Sequence, residues 1–141
     1  MKKLIYAFFL SFIFCSCKKL PQSNTATDIE NRKWFLVELN GKAFTNFQED
    51  KKVFLKFNKE NQKIEGFAGC NSFSGNYKLE NQKVFISEMI ATEAYCEGVM
   101  PQERAFFKAL AEMKTYASSK KGDILYLYAE NKTVLASLKS E

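Results

Sequence analysis

A chain of 141 residues, 46% of them apolar and 14 of them Phe, has material for one folded domain with a single core and excludes global disorder. Its net charge of +5 is spread along the chain, and Lys2 and Lys3 of an expected leader supply two of those charges, so the balance is that of a solvated surface and argues against a nucleic-acid partner. With no histidine, Ser-His-Asp and Cys-His catalysis and the common zinc sites lack an essential member.

Lys2 and Lys3 precede an apolar run from Leu4 to Phe14. The run suits the hydrophobic stretch of a signal peptide and falls short of the roughly 20 residues that a membrane-spanning helix needs. Phe14-Cys15-Ser16-Cys17 resembles a bacterial lipobox, with Phe14 where Leu is usual and Cys15 in the middle position. The resemblance implies a leader over residues 1–16, cleavage after it, and a diacylglycerol thioether on Cys17. Cys17 is the better acceptor because small Ser16 precedes it, whereas bulky Phe14 precedes Cys15. At about 0.8 kcal/mol per buried methylene, two or three acyl chains hold a protein on a membrane. An uncleaved anchor or a plain secretory signal is the competing reading. Lys18 after the cysteine favours, by lipoprotein sorting patterns, delivery to the outer membrane, facing the periplasm. Residues 17–32 are expected to be the lipidated cysteine and a flexible polar tether with Pro21, and residues 33–141 the folded domain.

Trp34 to Leu39 is rich in strand formers and ends at Asn40-Gly41, a strong two-residue turn signal. From Lys52 to Asn58, Val53, Leu55 and Phe57 alternate with Phe54, Lys56 and Asn58, which predicts a half-buried strand. Lys63 to Phe67 is expected to pair with it as a hairpin. Ser72 to Leu79 and Val84 to Ser87 make the next pair, turned at Glu80-Asn81. After Cys96 the pattern changes. Pro101 suits a first helical turn, Glu97 and Glu103 lie where a helix N-terminus prefers negative charge, and Phe106, Ala109, Leu110 and Met113 recur at helical spacing. One amphipathic helix from Pro101 to Lys114 is predicted. Thr115–Ser118, Ile124–Ala129 and Thr133–Leu138 return to strand character. Strands, one helix, then strands fold economically as α+β: a curled antiparallel sheet, a half-open barrel, packed against the helix.

Gly66-Phe67-Ala68-Gly69-Cys70-Asn71-Ser72-Phe73-Ser74-Gly75 is the stretch round which this arrangement turns. Gly66, Gly69 and Gly75 mark positive φ or close backbone approach, and Asn71 is expected to cap the turn. This stretch, continued through Asn76-Tyr77, resembles the META/HslJ family of bacterial envelope proteins. Trp34, Leu36 and Gly41, Ala91-Thr92 with Cys96, the helix residues Glu103, Phe106, Phe107 and Leu110, and Leu125-Tyr126-Leu127 extend the likeness over residues 33–138. Glu93 and Ala94 stand where the family usually has a basic residue and a methionine. The resemblance implies no established enzymatic activity; it suggests a link to envelope or heat stress and a likeness to lipid-anchored pilotins.

With Cys15 discarded and Cys17 lipidated, Cys70 and Cys96 remain, and in an oxidising compartment such a pair is most simply a disulfide. Closing that loop stabilises by about 3.5 kcal/mol on a chain-entropy estimate. A reactive thiol at Cys70 competes with this reading, though without a histidine to activate it. No P-loop or dinucleotide fingerprint occurs, since Gly66-x-x-Gly69 leads into a strand, and no cofactor, metal or catalytic residue is expected. Glu65, Glu88, Glu93 and Glu97 could pair for glycoside chemistry only if the fold gathered them. Trp34, Phe35, Tyr126 and Tyr128 are candidate lining for a ligand groove. Two functions follow: a monomeric binding or chaperone-like lipoprotein offering an apolar cleft to an acyl chain or an envelope protein partner, or a structural stress-response component without a ligand. A hydrolase is a distant third.

Overall fold

The computed structural model of the chain describes residues 29–141, so the expectations for the leader, for Cys17 and for the tether through Asp28 lie outside the described residues. The alternation in the sequence becomes strands with one face inward: Val53, Leu55 and Phe57 are buried, while Phe54, Lys56 and Asn58 are half-buried on the outer face. The elements in order are β1 (Lys33–Leu39), β2 (Lys42–Ala43), β3 (Phe54–Asn58), β4 (Lys63–Phe67), β5 (Ser72–Glu80), β6 (Lys83–Ala91), α1 (Met100–Glu112), β7 (Thr115–Ser118), β8 (Ile124–Tyr128) and β9 (Val134–Ser140).

All strand pairs are antiparallel. The sheet runs β2-β1-β3-β4-β5-β6-β7-β8-β9, and β9 returns to pair with β1, so the sheet curls into a ring. The ring is split at one place. β6 meets β7 only through Lys83↔Thr115, whereas neighbouring pairs run over four or more residues. The helix lies in the connection between these two strands and turns Phe106, Ala109 and Leu110 into the core. There they join Trp34, Leu55, Phe57, Ile64, Leu125, Leu127 and Leu138 from the strands. The α+β half-open barrel expected from the sequence is the observed architecture.

Local chemistry explains the departures. Asn40 and Gly41 both have positive φ, the mark of a type I′ hairpin turn, and the turn adds the two-residue β2, which the sequence pattern did not predict. The helix begins at Met100 rather than Pro101. It stops at Glu112 rather than Lys114, because the Lys114 N–H is taken by the Tyr128 carbonyl at 2.9 Å. β6 runs on past Ser87 to Ala91 through a bulge at Glu88, whose φ is 52°. The bulge breaks the two-residue period, which is why the pattern ended early.

The fold also starts earlier than Lys33. Ile29 is fully buried, and its carbonyl accepts the Trp34 Nε1–H at 2.8 Å. Asn31 donates its N–H to the Phe57 carbonyl at 2.7 Å, and Arg32 donates to the Gly122 carbonyl at 2.8 Å while lying over the Trp34 ring. Residues 29–32 therefore belong to the domain and not to the tether. A lone isoleucine in a polar run has no period to betray it.

Glu30 completes this end of the ring. Its carboxylate accepts the Tyr77 Oη–H at 2.6 Å, and Tyr77 packs edge-on against Phe57. Burial, and after it the Glu30 contact, raises the Tyr77 phenol well above its ordinary value. The folded protein thus favours the neutral phenol. That contribution is intact below about pH 10, the unfolded phenol's range, and is lost progressively at higher pH. Alkaline unfolding followed by tyrosinate absorbance should show one tyrosine ionising only as the fold is lost. Tyr77→Phe should abolish that component and make the loss of stability at alkaline pH less steep.

Candidate functional site

The Gly66–Gly75 corner joins β4 to β5, and each of its marked residues has a specific task. Gly66 faces Phe73 across the two strands; a Cβ on it would stand 2.6 Å from Phe73 Cζ and closer still to the Phe54 carbonyl. Gly75 lies against the bulge in β6, where a Cβ would meet the Ser87 carbonyl at 3.1 Å. Gly69, at φ 118°, supplies the backbone reversal that only glycine adopts freely. Cys70 and Cys96 form a disulfide, with Cα atoms 5.8 Å apart.

Asn71 does something other than the expected cap. Across the turn it is the main chain that bonds, the Ala68 N–H donating to the Asn71 carbonyl at 2.8 Å. The buried Asn71 side chain instead reaches across to the loop before the helix. Its Oδ1 accepts from Thr92 Oγ1 at 2.8 Å and the Ala94 N–H at 2.7 Å. Its Nδ2 donates to the Ala94 carbonyl at 3.0 Å and to Glu103 Oε1 at 2.7 Å. Glu103 Oε2 in turn accepts the N–H groups of Cys70, at 2.9 Å, and Asn71, at 2.7 Å. Glu103 is 3% exposed, and three N–H donors offset the cost of burying its carboxylate. From the sequence, Glu103 is expected as a helix N-terminal charge and as one of the helix residues that carry the family likeness, not as a buried carboxylate. Its position three residues before Phe106 and seven before Leu110 puts it on the buried stripe, and that signal was there to be read.

This polar knot fixes the start of α1 against the corner, and the other end of the helix passes into β7. Between α1 and the outer edge of β6 lies a cavity of about 740 Å³. The buried side chains of Val84, Leu110 and Met113 form its depth, half-buried Ile86, Met89 and Phe107 its sides, and exposed Ala111 its rim. Lys83, Lys114, Thr115 and Glu130 surround the end where β6 meets β7. The volume falls within the range of roughly 300–1,000 Å³ typical of small-molecule sites.

None of the four aromatic residues expected to line a groove borders this cavity. Trp34 is core, with no exposed surface. Phe35 sits on the outer face beside Phe54, in a smaller recess of about 380 Å³ with Lys33, Lys52 and Phe67. Tyr126 and Tyr128 form a tilted pair on the outer face of β8. The carboxylates are dispersed as well: Glu65 on β4 reaches Lys56 at 3.8 Å, Glu88 at the bulge accepts from Asn76 Nδ2, and Glu93 and Glu97 are exposed in the loop before the helix. Among the described residues, no group of three or more His, Cys, Asp and Glu stands where it could hold a metal ion.

Glu103→Gln puts an amide group where three N–H donors converge and leaves at least one of them unsatisfied. It should cost about 2–4 kcal/mol of stability. A urea titration of the disulfide-intact protein measures this as a lower midpoint; a shift worth less than about 0.5 kcal/mol, the scale of an ordinary surface substitution, would refute the assignment.

The META domain family model matches residues 27–141, which begins just before the buried Ile29. Two structures determined by NMR share the fold. One is 22% identical, with a TM-score of 0.66, over 82% of this chain and 94% of that one. The other, a protein from Burkholderia xenovorans, is 17% identical, with a TM-score of 0.67, over 100% of this chain and 99% of that one. No curated protein matches the sequence. With a nine-stranded, ring-like sheet and one helix among the described residues, and by the extent of the match, the chain belongs to the META domain family.

Proposed function

We propose that this protein is a non-catalytic binding module of the cell envelope, held on a membrane by acyl chains on Cys17, whose groove between β6 and α1 receives an apolar guest. The observation that carries the reading is the groove itself: about 740 Å³ of open space, bounded by Ile86, Met89, Phe107 and Leu110, at the one place where the ring is split. A chaperone-like or pilotin-like role, in which the guest is an acyl chain or an apolar segment of an envelope protein, follows from that chemistry and from the expected anchor. A purely structural stress-response component calls for a filled interior, which the open groove disfavours. Hydrolysis by paired carboxylates has no support in the placement of Glu65, Glu88, Glu93 and Glu97.

Two measurements test the reading. Cys17→Ser should move the protein from the membrane fraction to the soluble fraction, and intact mass should show the acyl groups lost. For the groove, the polarity-sensitive dye anilinonaphthalene sulfonate should bind the folded domain saturably. Ala111→Trp, which fills the rim without touching the core, should weaken that binding at least tenfold at unchanged circular dichroism. Absence of saturable binding by the wild-type domain, or binding that ignores Ala111→Trp, overturns the proposal.

A further inference from the structure

The β6 wall of the groove offers a strand edge as well as side chains. The Val84 N–H points away from β5 and donates to the Lys114 carbonyl at 2.9 Å. On the β5 side, the Tyr77 N–H turns to the Gln62 carbonyl rather than to its cross-strand partner Ile86. By the two-residue alternation of an antiparallel ladder, the main-chain N–H and C=O of Ile86 therefore point outward, into the groove. Past the bulge, the Thr92 N–H bonds back to the Ser72 carbonyl, which leaves the Ala91 main chain facing outward in the same way. Among the described residues, no strand pairs with this edge beyond Lys83.

An acyl chain can fill the space but cannot satisfy these donors and acceptors. A polypeptide can do both. We propose that the natural guest is an extended peptide segment that pairs with the free edge of β6 as an added strand, alternate apolar side chains entering the groove against Phe107 and Ala111. The charges at the closed end add direction. Lys83 and Lys114 flank that end, and none of the ion pairs among the described residues engages either of them; Glu80, opposite Lys83 on β5, is paired with Lys78, so Glu130 beside the two lysines leaves one net positive charge. The complementary segment carries an acidic residue there. A second copy of this chain fits less well, because it would bring a second Glu88 bulge to the seam, whereas an unpaired segment carries none and can follow the single one on β6.

This inference rests on the groove being a binding site, and its test separates the two. The probe is a synthetic octapeptide of alternating Val and Thr with one terminal Asp, together with two analogues N-methylated on alternate residues, one set in each analogue. Pairing with β6 predicts that one analogue binds at least tenfold more weakly while the other binds like the parent, since only one set of N–H groups can face the edge. It also predicts slowed amide exchange at Ile86 and Ala91 in the complex, and about threefold or greater weakening when the terminal Asp is replaced by Asn. Equal sensitivity of both analogues, no change in exchange at Ile86 and Ala91, or displacement of the dye by a fatty acid but not by the peptide overturns strand addition and leaves the groove standing. Failure of the dye itself to bind overturns both.

Discussion

The buried carboxylate of Glu103 is the constraint from which the arrangement of the helix follows. A thirteen-residue helix is marginal alone, and this one has neither a side-chain cap at its N-terminus nor a basic residue in its last turn. It is placed by tertiary contacts. Phe106, Ala109 and Leu110 supply area, which is adhesive but not directional, whereas Glu103 supplies direction, because its oxygens must meet N–H groups from Cys70 and Asn71. The disulfide reinforces the same junction covalently, from the corner to the loop that leads into the helix.

Fixing the helix at both ends has a consequence for the sheet. With Glu103 held at the corner and Lys114 bonded to Tyr128, α1 spans the split between β6 and β7 without filling it. Had the two strands paired along their length, the ring would have closed and the space beside Ile86 and Met89 would have been occupied by main chain. The gap is therefore a property of how the helix is pinned, and it sets polar backbone and apolar side chains along one channel.

Much of the architecture was legible because it depends on local periodicity. The inward triplet of Val53, Leu55 and Phe57, the Asn40-Gly41 turn and the stripe from Phe106 to Met113 each specify an element from a few neighbouring residues. The Cys70–Cys96 pair was legible by elimination. What escaped is non-local. Ile29 seals one end of the ring from a stretch with no apolar pattern, and the Glu88 bulge cancels the very period by which β6 would be followed. Aromatic content does not locate the groove: Tyr126 and Tyr128 alternate with buried Leu125 and Leu127, so parity alone puts them on the outer face. No periodicity can say where a ladder stops pairing, and that is what makes the groove.

The pairing of β1 with β9 joins the earliest strand of the ring to the last. During synthesis, β1 and β8 each wait with a bare flank until β9 has been made, so the seam closes in a final, long-range step. The contacts of Trp34 with Ser140 and of Leu39 with Ala136 act as a clasp between the two extremities of the domain. A chain whose β9 has not yet emerged can hold hairpins, but it cannot lock. The domain therefore becomes a finished object only when its last strand arrives.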